Sequence, residues 1–310
     1  MSIYTLRIGG TTIRRVRAIF LGLLAVEISS APLGAQRIER NLPYRTNPTS
    51  EQYLDLYAPA AETRMPVVLF IHGGSLEEAG ERRDSPMYAP VCPGLSRRGI
   101  LCATMDYRLA PTYHWPAMPE DVAAAVHWLK DSISERGGDP DRIFLIGHSS
   151  GCLLAALVAL DASYLAEQGL RLGAVAGVVA MGCTLAPWDT AGRAVSHSQL
   201  ERAFARDEGE RRIYGSLAWR LRANPTLWVG PGAPPFLVLV AESERFMPSI
   251  LEEGARFVRL LREKERPADL RILNGRRHVT TTTGFADPAD MVANLVADFV
   301  RNPAAVTATP

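Results

Sequence analysis

Apolar residues recur along the chain with two different spacings, and the alternation between them sets the fold class. PVVLFI (66–71) is a continuous run rich in β-branched residues and predicts a strand buried on both faces. GILCATMDY (99–107), RIFLIG (142–147), AVAGVVAMG (174–182), PFLVLVA (235–241) and DLRIL (269–273) read the same way. QYLDLY (52–57) alternates apolar with polar and predicts a half-buried strand. Between these runs lie helical patterns. Residues 120–134 put Val122, Val126 and Leu129 on one face, 150–160 are apolar almost throughout, and 250–264 and 288–301 repeat apolar positions at helical spacing. Strands alternating with helices predict an α/β domain with a mostly parallel central sheet covered by helices on both faces. The longest stretch lacking a strand, 184–232, holds helix-forming pieces at 199–204 and 210–222 and predicts a small helical cap insertion.

Composition narrows the partners. With 47% hydrophobic residues the chain has ample material for a core, and no 20–50-residue period repeats. A net charge of +1 advertises neither a nucleic-acid partner nor an anionic membrane. The first 35 residues stand apart. Arg7, Arg14, Arg15 and Arg17 surround the approach to an apolar run from Ala18 to Val26, and small residues lead to a cut after Ala35. This pattern predicts a signal peptide and export to the periplasm or beyond. The run is too short to span a bilayer, so no stable membrane insertion of the mature chain is expected. The alternative is an N-terminal extension packed on the domain, with the protein cytoplasmic. Residues 36–301 are then one domain and 302–310 a flexible tail. Cys92, Cys102, Cys152 and Cys183 form no C-x-x-C pair, which removes the common metal and redox motifs. Cys102, Cys152 and Cys183 are expected as buried free thiols, with a Cys92–Cys102 bridge open if the protein is exported.

The chemistry gathers around FLIGHSSGCLLAAL (144–157). A strand reaches Gly147, a small polar knot follows, and a helix begins, so Ser149 stands at the apex of a sharp turn. A serine needs a base. Of six histidines, His278 in LNGRRHVTTTT follows the last strand, at the strand ends where functional groups of such sheets collect. The base needs a carboxylate to hold its tautomer. Glu242 and Glu244 directly follow the strand PFLVLVA; Glu244 lies far enough along the loop to turn back, and Glu242 is the alternative. HGG after PVVLFI lets the backbone approach a substrate, so Gly74 and Ser75, with Ser150 after the nucleophile, are the expected oxyanion donors. Asp106, Arg108 and Asp121 read as a charge cluster bracing a loop rather than as catalytic groups.

Taken in this order, IHGGS (71–75), DYRLAP (106–111), EDVAAAVHWL (120–129), GHSSG (147–151) and the late His278 resemble the α/β-hydrolase superfamily. The resemblance is to its esterase/lipase branch, which includes hormone-sensitive-lipase-like and feruloyl-esterase-like enzymes, and covers roughly residues 50–301. It implies a Ser149–Glu244–His278 triad, an acyl-enzyme, a small-molecule ester substrate, and neither cofactor nor metal. Three departures stand out. Ser75 occupies a position often held by Gly, Leu76 replaces a common aromatic, and the acid is Glu rather than Asp. Leu76, Trp188 and Phe246 belong to segments that can border the pocket and would favour small or aromatic esters. The rival chemistries are an arylformamidase-like amide hydrolysis and, in another class, a catalytically silent binding protein on this fold.

Overall fold

The computed structural model describes residues 36–60, 63–185 and 197–305, and near the N-terminus the backbone of residues 7–8 and 11–12. Arg7–Ile8 (β1) and Thr11–Thr12 (β2) pair antiparallel within a first unit, Met1–Leu33. The remainder of the expected signal segment lies outside the described residues.

The second unit, Gly34–Pro310, is built on eight strands. They are Gln36–Pro43 (β3), Tyr53–Pro59 (β4), Met65–Ile71 (β5), Leu101–Met105 (β6), Gly138–His148 (β7), Gly177–Met181 (β8), Phe236–Ala241 (β9) and Ala268–Leu273 (β10). Their order across the sheet is β10-β9-β8-β7-β5-β6-β4-β3. Strands β5 to β10 run parallel, and β4 is antiparallel to both its neighbours.

The continuous apolar runs are explained by the two helical layers. In β5, Val67, Leu69 and Ile71 join one core layer with Val122 and Val126 of Ala117–Ser132 (α2, after the short α1, Val91–Ser96) and Leu154 of Ser150–Leu160 (α3). Val68 and Phe70 point the opposite way and join Val91 and Leu95 of α1. Alternate side chains therefore meet opposite layers, and both must be apolar. A further short helix, Ala162–Ala166 (α4), follows α3. Among the described residues between β8 and β9 lie three α-helices, His197–Arg206 (α5), Glu208–Tyr214 (α6) and Leu217–Arg222 (α7). The single helix read at 210–222 is broken at Gly215 (φ 67), after which the Ser216 side chain accepts from the Trp219 amide and starts a new one. Pro248–Glu263 (α8) and Met291–Arg301 (α9) complete the layers. No helix among the described residues is long and apolar enough to cross a membrane.

Three expectations are corrected. Strand β4 is not half-buried: its Asp55 is buried and accepts from Arg40 and from the Asn41 amide, because β3 lies over its outer edge. β3 itself escaped the sequence reading. Its side chains are half-exposed or exposed and several are charged, as suits an edge strand protected from further pairing. The cysteines are not free thiols. Cys92 is bridged to Cys102, and Cys152 to Cys183. Burial fits a half-cystine as well as a thiol, and the meeting of α1 with β6, and of α3 with the loop after β8, is invisible in the spacing. At the C-terminus, Pro303–Ala305 forms a helical turn where a loose tail was expected, and 306–310 lie outside the described residues.

The bridges give the first testable outcome. Alkylation of the denatured, unreduced protein should label no cysteine, since all four are paired. The Cys152→Ala/Cys183→Ala variant should lose about 2–4 kcal/mol of stability, the range for removal of such a cross-link, measured as a lower denaturant midpoint. Labelling of any cysteine in the unreduced protein would contradict the pairing.

Candidate active site

Ser149 sits between the last residue of β7 and the first of α3, with φ 54 and ψ −127. A non-glycine residue reaches this region only at a cost of about 1–3 kcal/mol. The flanking glycines make it possible. A Cβ on Gly147 would lie 2.2 Å from the Gly151 carbonyl oxygen, and one on Gly151 would lie 2.3 Å from the carbonyl oxygens of Ile71 and His72. Strand β7, helix α3 and the end of β5 thus converge with no room for a side chain. The Ser149 amide donates to the Met181 carbonyl at 2.9 Å, which pins the apex to β8.

The loop after β5 carries the HGG sequence. Gly74, Ser75 and Leu76 take φ values of 103, 61 and 64 in succession, so the chain turns back sharply beside the Ser149 turn. Among the described residues, the amides of Gly74, Ser75 and Ser150 donate to no protein acceptor. Helix α3 has no side-chain N-cap, so its first N–H groups and the positive end of its dipole are directed at the turn.

Glu244 ends a single helical turn, Glu242–Glu244, that follows β9. It is 2% exposed, accepts from the Ala241 amide at 2.7 Å, and makes a short hydrogen bond to Nδ1 of His278. His278 begins the turn after β10, and its carbonyl accepts from Thr281 Oγ1 at 2.8 Å. Gly182 (φ 58) closes over this pair: a Cβ there would stand 2.8 Å from Glu244 Oε1 and 3.0 Å from His278 Nδ1. Glu242 has a different job, since its carboxylate accepts from the Gly275 amide at 2.7 Å and ties the β9 loop to the β10 loop.

Two other histidines near the turn are unsuited to act as the base. His72 and His148 are fully buried, and burial pushes each imidazole down to about 4. His72 Nδ1 donates to the Gly73 carbonyl at 2.7 Å and its ring stacks on Tyr107. Both nitrogens of His148 are engaged, with Tyr88 and with the His278 carbonyl. His114 and His127 lie elsewhere, His114 against the Arg212 carbonyl and His127 beside Asp131. The DYRLAP cluster braces the loop as its spacing suggests. Arg108 binds the fully buried Asp121 through Nε at 2.9 Å and Nη2 at 2.8 Å, and Asp106 pairs with Arg83.

Ser149 and His278 line one cavity of roughly 500 Å³. Leu153, Tyr214 and Ile250 supply much of its apolar wall, and Arg220 and Glu253 bring charge. Arg220 is buried, pairs with Glu210 and lies over the Tyr214 ring at 5.0 Å. None of these wall residues was read from the sequence. Tyr214 and Arg220 lie on short helices where periodicity does not reveal an inward face. Of the residues expected to border the pocket, Leu76 and Phe246 do not line this cavity. Leu76 is 2% exposed and packs into the core layer containing Leu109, because the left-handed turn directs it inward. Phe246 is 83% exposed, beyond the short turn that carries Glu244. Trp188 lies outside the described residues. Arg276, one of the two cations beside His278, is bound to Asp290, and Arg277 is exposed.

Residues 54–251 match the model of the family described as BD-FAE. The match takes in Ser149 and Glu244 and stops short of His278. Among curated proteins, Esterase LipQ of Mycobacterium tuberculosis is 30% identical over 202 residues, which is 64% of this chain and 47% of LipQ. The chain spans about half the length of the curated relatives LipQ and LipC. Among solved structures, a truncated carbohydrate esterase from gut microbiota superposes with a TM-score of 0.70 at 17% identity, covering 89% of this chain and 99% of that one, a likeness of fold. EstE1, a carboxylesterase from a metagenomic library, gives a TM-score of 0.63 at 25% identity over 89% of each chain. An eight-stranded, mostly parallel sheet with a serine turn after β7, an acid after β9 and a histidine after β10 is the α/β-hydrolase arrangement, and by its match over residues 54–251 the chain belongs to the BD-FAE family.

Proposed function

We propose that the chain is a serine hydrolase that cleaves carboxylic esters through an acyl-enzyme on Ser149. The observation that carries this reading is the Glu244–His278 hydrogen bond at a cavity whose wall also includes Ser149. Glu244 occupies Nδ1, so Nε2 of His278 is the nitrogen that takes the serine proton. Serine oxygen attacks the ester carbonyl, and the oxyanion is met by the amides of Gly74, Ser75 and Ser150. His278 then returns the proton to the departing alcohol. Water, activated by the same imidazole, releases the acid and restores Ser149. The relatives named esterases support this chemistry. A cavity of roughly 500 Å³ walled by Tyr214, Leu153 and Ile250 suits small or aromatic acyl groups.

The direct test uses an organophosphonate. Intact-mass analysis should show one adduct, on Ser149. Ser149→Ala should take no label and lose turnover of p-nitrophenyl acetate while melting near the parent. Short p-nitrophenyl esters should be turned over faster than both long-chain esters and an N-formyl aromatic amine. Retained turnover in Ser149→Ala would remove the serine mechanism.

The two glutamates should separate cleanly. Glu244→Gln leaves an amide where the imidazolium needs a carboxylate, and kcat should fall by roughly 10³-fold or more. Glu242→Gln still accepts from the Gly275 amide and should stay within about threefold, since it perturbs only a loop contact. The reverse ranking would transfer the acid role to Glu242.

We further propose that the protein is exported, with residues 1–35 removed. Two disulfides suit an oxidising compartment, and Gln36 opens the first strand of the large sheet. The mature protein should have Gln36 as its N-terminal residue and keep full activity. A cytoplasmic protein retaining Met1 would reject export.

A further inference from the structure

The loop proposed to hold the oxyanion and the loop of His278 leave the sheet from β5 and β10, with three strands between them. Behind Ser149 they are joined by two buried side chains. The Gly73 amide donates to the Tyr88 hydroxyl at 3.0 Å, the Tyr88 hydroxyl is 3.0 Å from His148 Nδ1, and His148 Nε2 is 3.0 Å from the His278 carbonyl. Tyr88 is 3% exposed and His148 fully buried, so no bulk solvent substitutes for these partners.

The direction of each bond follows from its ends. An amide N–H can only donate and a carbonyl can only accept. Tyr88 oxygen therefore accepts from Gly73, and its single hydrogen goes to Nδ1 of His148. Nδ1 must be bare, and Nε2 carries the hydrogen given to the His278 carbonyl. One neutral tautomer satisfies every group in the line. Its low basicity, set by burial and by His278 nearby, keeps that state in place near neutral pH.

We propose that His148 and Tyr88 are positioning residues which fix the spacing between the Gly74–Ser75 amides and the His278 imidazole. Gly73 precedes those amides directly, and a Cβ on it would collide with both the Tyr88 hydroxyl at 2.6 Å and the Ser149 Cβ at 2.9 Å. At the other end, the rings of His148 and His278 pack with centroids 4.5 Å apart. The same line of side chains thus touches the backbone beside the donors, the nucleophile turn and the base. This role rests on the reading of Ser149 as nucleophile, and the two can fail separately. Core filling alone would require only apolar side chains of similar volume at these positions.

The test compares Tyr88→Phe, His148→Gln and the double variant of the full chain, with p-nitrophenyl acetate as substrate. Tyr88→Phe removes one oxygen and keeps the ring. Both single variants break the same Tyr88–His148 link. Each should lower kcat about tenfold with KM within about twofold, as a small misplacement of catalytic groups does. The double variant should be no slower than the slower single, because the second change breaks a link already lost. A folded Tyr88→Phe with parental kcat, losses that multiply in the double variant, or a fall in melting temperature with kcat intact would each overturn the proposal. Should His148→Gln fail to fold, Tyr88→Phe alone decides. Phosphonate labelling of the parent reports separately: an adduct away from Ser149 would sink the nucleophile reading, whereas normal labelling with parental kcat in Tyr88→Phe sinks only the positioning role.

Discussion

The φ of 54 at Ser149 is possible only because no side chain stands at Gly147 or Gly151. Strain of about 1–3 kcal/mol at one residue must be held by something larger. Helix α3 holds it. Every residue from Gly151 to Leu160 is buried, and each fully buried leucine contributes about 1.5–3 kcal/mol, so Leu154 and Leu157 alone exceed the strain. The helix is fixed by its core contacts, β7 by its place in the sheet, and the serine must bridge them by the tightest available path. The uncapped start of α3 is a consequence of the same geometry. A residue bent to present its side chain outward cannot also turn back to cap the helix, and the Ser150 amide stays available for a ligand.

Glu244 obeys a similar constraint. A glutamate carries one methylene more than the aspartate common in this superfamily, and the chain absorbs it locally. Glu244 closes a single helical turn, and its carboxylate folds back onto the Ala241 amide before meeting His278. Gly182 then approaches both groups so closely that even a methyl group would touch them. Cys183, the next residue, is tied to Cys152 in the first turn of α3. One covalent link therefore connects the turn that carries Ser149 to the loop that covers Glu244 and His278.

Much of this was legible in the sequence, for a physical reason. Buried parallel strands must be apolar on both faces, so β5, β7 and β9 announce themselves as continuous runs, and residues just after such runs fall at one edge of the sheet. Ser149, Glu244 and His278 were reached in that way, and the structure brings Glu244 and His278 into contact. What failed has physical causes as well. β3 is an edge strand whose polar side chains face solvent, so it carries no apolar period. The Cys152–Cys183 bridge spans 31 residues and depends on which strands are neighbours. Leu76 and Phe246 were placed by proximity in sequence, but side-chain direction in a left-handed turn or past a helical turn reverses within one residue. Tyr214 and Arg220 come from helices of seven and six residues, too short for a face to be read.

The buried histidines beside Ser149 show why burial is used so heavily around this site. An imidazolium at His278 is the charge the proposed reaction must create, and Glu244 is there to receive it. Were His148 also charged, two cations would face each other across ring centroids 4.5 Å apart. At an effective dielectric constant of about 20 that repulsion is roughly 3–4 kcal/mol, enough to slow the proton transfer by more than two orders of magnitude. Burial that drives His148 down to about 4 removes the cost before it arises. Its two nitrogens are then used as one donor and one acceptor. A buried methionine or leucine would also avoid the charge, but it would leave the Tyr88 hydroxyl without its acceptor and the His278 carbonyl with one donor fewer. A neutral histidine meets the electrostatic and the hydrogen-bonding demands together.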